Sequence, residues 1–152
     1  MHLISLGQYS RAFDPAVTTD IQALVMQLES VPLADLLGSY KVGYRYGYIG
    51  AEDRMMYPLI TPGAIVIIDE ARTVITPGPW RRESERPIYF LETREGFVCC
   101  WCAIESGNLI LQPHPLSPEG PRVVPRKAVD VIGQITAVAM RLENVDGPVR
   151  SP

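Results

Sequence analysis

Hydrophobic residues near the N-terminus are spaced as in an amphipathic helix. Asp14 and Pro15 suit the N-cap and the first helical position. Apolar residues then recur every three or four positions, at Val17, Ile21, Leu24, Val25 and Leu28. This pattern predicts one helix over residues 15–29, followed by a short helical turn that ends at Gly38.

From about residue 40 the pattern changes to the period of two that is typical of β-strands. The apolar runs predict strands at residues 44–49, 64–69, 87–93, 96–104, 108–112 and 129–142. The run at 64–69 is continuously apolar, so we expect both of its faces to be buried. Turn residues at 94–96 and 106–107 predict hairpins, and Gly133 predicts a bulge or bend in the last strand.

These patterns predict a mainly β fold with one N-terminal amphipathic helix and short antiparallel strands. They divide the chain into an N-terminal helical segment (1–39), a β domain (40–143) and a flexible tail (144–152). A length of 152 residues with 47% hydrophobic and 20% charged residues suits one globular domain.

Charge and hydropathy exclude several functional classes. The net charge is −3 and there is no long basic run, which argues against strong nucleic-acid binding by this chain alone. No apolar stretch approaches the roughly 18 residues that a membrane span needs, and the N-terminus does not resemble a signal peptide. Three clustered cysteines, an odd number, fit a reducing compartment, so we expect a cytoplasmic protein.

The stretch "DRMMYPLITPGAIVIID", residues 53–69, combines a polar turn with two consecutive methionines. Met55 and Met56 precede Tyr57-Pro58, where a surface turn would normally carry polar residues. Either this turn is buried, or a methionine occupies a position at which another residue type would do chemistry.

Several segments in order resemble the C-terminal domain of LexA-type repressors, the S24 peptidase family. These segments are "MYPLITPGAIVIID", the hairpin strand "GFVCCWC", "NLILQPHP" and "VIGQITAV". The resemblance covers residues 48–142. It implies a twisted, partly closed antiparallel β domain like that of LexA and signal peptidases.

The family cleaves its own chain with a Ser–Lys dyad, in which a neutral, partly buried lysine activates the serine. The resemblance places Met55 at the serine and Cys100 at the lysine. A thioether has no transferable proton, and a thiol does not replace an amine base. The resemblance therefore implies a domain without dyad catalysis, in which the disused cleft should be lined by Met55, Met56, Tyr57, Pro58, Cys100 and His114.

Domains of this family serve transcriptional regulators, so the resemblance implies a homodimer with a role in dimerisation or in ligand or signal sensing. DNA would be contacted only through a separate helix-turn-helix domain, because residues 1–39 are too short and too uncharged to form one. No cofactor and no membrane partner are expected.

Other interpretations of the same residues remain open. A peptidase could use Cys100 or a serine such as Ser84 as its nucleophile, although buried cysteines more often serve as small hydrophobic residues. The cysteines and His114 could bind zinc, but adjacent cysteines on a strand point to opposite faces, so no metal site is predicted.

The domain could also be a peptide or small-ligand binding module. The tyrosines at 44, 46 and 48 should share one face, as an interface or as sheet packing.

Overall fold

The computed structural model describes residues 13–22 and 43–142. Within them, eight strands form one antiparallel sheet in the order β1-β2-β3-β8-β4-β5-β6-β7. The strands are β1 (Thr19–Asp20), β2 (Tyr44–Tyr48), β3 (Ile65–Asp69), β4 (Tyr89–Thr93), β5 (Gly96–Glu105), β6 (Asn108–Gln112), β7 (Arg122–Pro125) and β8 (Asp130–Ala139). Two short 3₁₀ helices lie at Glu83–Glu85 and Arg126–Ala128. The prediction of a mainly β, antiparallel fold is confirmed, and the sheet is not closed.

The strands predicted from alternation are all present. In β3, Val66 and Ile68 pack into the main apolar cluster, while Ile67 packs into a second cluster with Tyr46 and Ile21. Since successive side chains on a strand point to opposite faces, this division explains the continuous apolar run. Apolar side chains therefore pack on both faces of β3, as its continuous apolar run predicted.

The N-terminal segment departs from the prediction. Residues 15–17 form a turn, and Thr19–Asp20 is strand β1, which pairs with Tyr48 and Gly47 of β2. The predicted helix start at Pro15 is therefore wrong. Residues 23–29 and the predicted turn before Gly38 lie outside the described residues. A helical period alone did not reveal that this segment hydrogen-bonds to the edge of β2.

The last strand of the sequence lies in the middle of the sheet. β8 pairs with β3 on one side and with β4 on the other, and the register against β4 shifts between Phe90 and Leu91, opposite Gly133 and Val131. The predicted irregularity at Gly133 is confirmed. A Cβ atom at Gly133 would lie 2.3 Å from the Asp69 carbonyl oxygen, so the backbones approach too closely there for any other residue.

β5 changes partner halfway along its length. Its residues 96–100 pair with β4, and its residues 101–105 pair with β6. The side chains of Val98, Cys99, Cys100 and Trp101 are all buried in the main cluster. This strand therefore joins the two parts of the sheet through the core.

No helix in the described ranges is both long enough and apolar enough to cross a membrane.

Candidate functional site

The paired methionines lie in a turn that is buried. Met55 is 1% exposed and Met56 is 2% exposed, whereas Tyr57 is half-buried and Pro58 is exposed. The Met56 carbonyl accepts a hydrogen bond from the Ile60 N–H at 2.9 Å, which closes the turn over the two thioethers. The methionines are therefore core residues carried by a loop.

Asp53 holds the tip of this turn. Its carboxylate accepts the Met55 N–H at 3.1 Å and a short hydrogen bond from the Thr18 hydroxyl. Thr18 in turn accepts the Gly50 N–H at 3.0 Å. Burial raises the pKa of Asp53, and the nearby Glu119 adds to that effect, while the bonds from Thr18 and Met55 and the charge of Arg122 oppose it.

A second loop, residues 114–119, fastens the other side of the turn. The Met55 carbonyl accepts the His114 N–H at 2.8 Å. Ser117 donates its hydroxyl to the Arg54 carbonyl at 2.6 Å, and the Arg54 N–H donates to the Glu119 carboxylate at 3.1 Å. The turn around Met55 is thus held from both sides by specific hydrogen bonds.

His114 uses both ring nitrogens within the fold. Nδ1 accepts the Leu116 N–H at 3.1 Å, which leaves the proton on Nε2, and Nε2 lies 2.5 Å from the Glu83 carboxylate. The ring is 7% exposed and stacks on Trp101 at 5.5 Å between centroids. His114 therefore joins the Glu83–Glu85 helix to the turn and has no free nitrogen for catalysis.

The three cysteines are buried thiols. Cys100 is 0% exposed, Cys99 is 2% exposed and Cys102 is 7% exposed. Burial raises the pKa of Cys100 and of Cys99 well above the ordinary value for a thiol, and the neighbouring thiols and Asp53 act in the same direction. Little thiolate is available at neutral pH for nucleophilic attack.

The structure brings some of the predicted cleft residues together. Met55, Met56 and Cys100 belong to one buried cluster, and His114 hydrogen-bonds directly to Met55. Tyr57 and Pro58 lie at the outer side of the turn, where Tyr57 packs under the Arg54 guanidinium at 5.5 Å. The resemblance also places the Met55 sulfur near Cys100, on the same side of the sheet, and this stays a prediction.

A cavity of about 400 Å³ adjoins the turn. It is lined by Met55 and Asp53, by the start of β5 at Phe97 and Val98, and by Arg122. Cys100 has no accessible surface, so it does not line this opening. Acidic groups surround the cavity at Glu52, Asp53, Glu95 and Glu119.

Sequence reasoning missed Thr18, Asp53 and Glu83. An Asp two positions before Met55 is a usual signal for a carboxylate that caps a turn, and it could have been found. The partner of Asp53 lies 35 residues away and the partner of His114 lies 31 residues away. Such pairs are set by the tertiary fold, which a single sequence does not reveal.

In the described ranges, no three His, Cys, Asp or Glu side chains are grouped in a way that could hold a metal ion. No protein-family model matches the chain, and no curated protein matches it.

Proposed function

We propose that this chain is a non-catalytic S24/LexA-like domain of a transcriptional regulator, acting in dimerisation or in ligand or signal sensing. One observation carries the non-catalytic part of the proposal. At the two positions where the resemblance places the dyad, the chain has a buried thioether, Met55, and a fully buried thiol, Cys100.

The chemistry of these two side chains supports the same conclusion. A thioether carries no proton to lose, and burial raises the pKa of Cys100, so the thiolate form is disfavoured. His114 is committed to Glu83 and Leu116 through its two nitrogens. Ser84 is exposed, and within the described part of the chain it has no hydrogen bond to a base.

Incubation under alkaline conditions tests for self-cleavage, the activity of the family. The protein is held at about pH 9.5, where the buried lysine base of the family, with its lowered pKa, would be neutral, and its mass is followed over a day. We expect the intact mass throughout. Cleavage at one defined bond that disappears in Cys100→Ala or in Ser84→Ala would establish the alternative, a peptidase with a non-standard nucleophile.

A second candidate function is peptide or small-ligand binding at the cavity beside Met55. Its size is sufficient for a few residues of an extended peptide, and Arg122 with Asp53 offers polar partners at its rim. A ligand that binds only the folded state raises the unfolding temperature. A thermal screen with short peptides tests this function, and Phe97→Ala should reduce any shift, whereas Val74→Ala, on an exposed loop, should leave it unchanged.

The dimer is supported by the resemblance. Size-exclusion chromatography with light scattering measures it directly, since the chain mass is 16.9 kDa and a dimer has twice that mass. In this proposal DNA contact comes from a separate helix-turn-helix domain. If only the monomer is found at high protein concentration, the role in dimerisation is excluded and the role in sensing remains.

A further inference from the structure

A hollow of about 500 Å³ lies beside the second half of β5, on the opposite side of that strand from β6. Trp80 and Arg86, from the loop between β3 and β4, line it together with Cys102 and Ile104 of β5. The Trp80 ring folds back over Gly78, so closely that a Cβ atom there would be 2.9 Å from the indole nitrogen. The hollow is therefore bounded by an aromatic ring that its own loop holds in place.

Arg86 in this hollow is a guanidinium for which residues 13–22 and 43–142 provide no acidic partner. Within the described part of the chain it makes no ion pair, and its Nε is buried with no hydrogen-bond acceptor. Its guanidinium carbon lies 4.7 Å from the centroid of the Trp101 ring. Arg82, on the same loop, instead pairs with Glu85 at 3.2 Å. Burial lowers the pKa of Arg86, because desolvation disfavours its charge.

Trp101 adds a second unsatisfied donor. Its ring lies against Arg86 on one side and His114 on another, and its indole N–H is buried with no acceptor in the described residues. Buried polar groups in folded proteins nearly always have a partner. Two buried donors in contact with each other's side chains therefore lack an acceptor in the described part of the chain.

The neighbouring strand edge also has open hydrogen-bonding groups. Thr93 and Gly96 are paired with each other on either side of a two-residue turn. Since the backbone N–H and C=O groups of a strand point to alternate sides, those of residues 96, 98 and 100 of β5 bond to β4. Cys102 and Ile104 face the same side, beyond the end of β4. In the described part of the chain their N–H and C=O groups have no backbone partner on that side. Ile104 is 56% exposed.

We propose that this hollow binds an extended peptide carrying an acidic side chain. The peptide backbone adds to the Cys102–Ile104 edge as a further strand, its carboxylate pairs with Arg86, and a neighbouring apolar side chain enters the hollow beside Trp80. A peptide fits better than a small acid, because only a second backbone satisfies the alternating donors and acceptors of a strand edge. The site is separate from the cavity beside Met55 and does not depend on the S24 resemblance.

Binding is measured with two acetylated, amidated hexapeptide libraries that are identical except for a fixed central Glu or Gln. The chain has two tryptophans, of which Trp80 lines the hollow and Trp101 lies against Arg86, so intrinsic fluorescence reports occupancy. We expect the best Glu peptides to bind at least about tenfold more tightly than their Gln counterparts. Arg86→Gln should remove that preference. Arg81→Gln, the same charge change at an exposed position on the same loop, should preserve it.

A second measurement does not depend on the folding of a variant. Two N-methylated forms of the best Glu peptide are compared, one methylated at its odd-numbered residues and one at its even-numbered residues. Only one of these two sets of N–H groups faces β5. Methylation of that set should abolish binding, and methylation of the other set should leave binding almost unchanged. The proposal is overturned if neither library binds, if Glu and Gln peptides bind equally, or if Arg81→Gln also removes the preference. Equal binding of 3-phenylpropionate, which has no peptide backbone, would overturn it as well.

Discussion

At the residue scale, Asp53 is a carboxylate whose burial opposes its charge. Its folded-state pKa is raised above the unfolded value, so at a pH between these two values the folded chain holds a proton that the unfolded chain has released. The resulting stabilisation is fully present below the unfolded pKa and is lost as the pH rises through the folded pKa. The charged form nevertheless keeps the bonds from Thr18 and Met55.

The substitution Asp53→Asn removes the charge of the side chain but keeps an oxygen that accepts a hydrogen bond. An amide oxygen still accepts the Met55 N–H, but the variant has no buried charge to desolvate. We therefore expect the stability of the variant relative to the wild type to increase as the pH rises from the ordinary pKa of an aspartate, about 4, to above the raised pKa of Asp53. Urea unfolding at several pH values measures this difference. Asp130→Asn, at an exposed position, is the control and should show no such trend.

The thiols provide a second test at the residue scale. Because all three are buried and burial raises the pKa of Cys99 and Cys100, we expect iodoacetamide to label the native protein at least about tenfold more slowly than the urea-unfolded chain. Cys102, which has the most accessible surface of the three, should react first. Mass spectrometry of timed samples gives the order. Rapid, stoichiometric labelling of Cys100 in the native state would contradict its assignment as a core residue.

At the element scale, β8 depends on a glycine where it crosses the end of β3. Gly133→Ala would place a methyl group 2.3 Å from the Asp69 carbonyl oxygen and 2.7 Å from Ile68. We expect a loss of about 2 kcal/mol or more in the free energy of unfolding, since backbone has to move. Gly120→Ala, where nothing lies within 4 Å of the added atom, should stay within about 0.5 kcal/mol. Chemical denaturation compares the two.

The elements also show what alternation can predict. β2 to β6 and β8 were found because their apolar residues recur at fixed spacing and turn residues separate them. β7 was missed, since "RVVP" follows a Pro/Gly-rich loop and every second residue in it is exposed. β1 was missed because two residues carry no periodicity, and their strand conformation comes from pairing with β2.

At the scale of the whole molecule, the N-terminal residues 13–22 pack against the sheet, and Thr19–Asp20 forms its first strand. Arg45 of β2 pairs with Asp20 of β1 and, at 3.2 Å, with Glu70 next to β3. Ile21 is buried against Tyr46 and Ile67, and its N–H donates to the Tyr46 carbonyl at 3.1 Å. The tyrosine face predicted from the sequence therefore contributes to packing at Tyr46, underneath this segment.

Ile21→Ala tests that packing. Removing three buried carbons should lower the free energy of unfolding by about 2–4 kcal/mol. Val17→Ala, in the same segment but 44% exposed, should cost less than about 1 kcal/mol. Thermal and urea unfolding report both variants. Equal, small effects would show that residues 13–22 do not pack on the sheet in solution.

The candidate site could be predicted only as far as it depends on local sequence. The burial of Met55 and Met56 follows from their type, and the turn follows from its polar and proline residues. The environment of Arg86, which lies against Trp101 and makes no ion pair within the described residues, could not be foreseen, because "RRESER" contains three arginines and three acidic or polar residues that look alike in sequence. Only the fold shows which arginine faces Trp101 and which pairs with Glu85.

The change of partner within β5 has a consequence for how this sequence can vary. Inserting one residue between Cys100 and Trp101 would turn every later side chain of the strand to the opposite face. The indole would then leave Arg86 and His114, and the inserted residue would take its place. Insertions and deletions should therefore be excluded from the interior of β5.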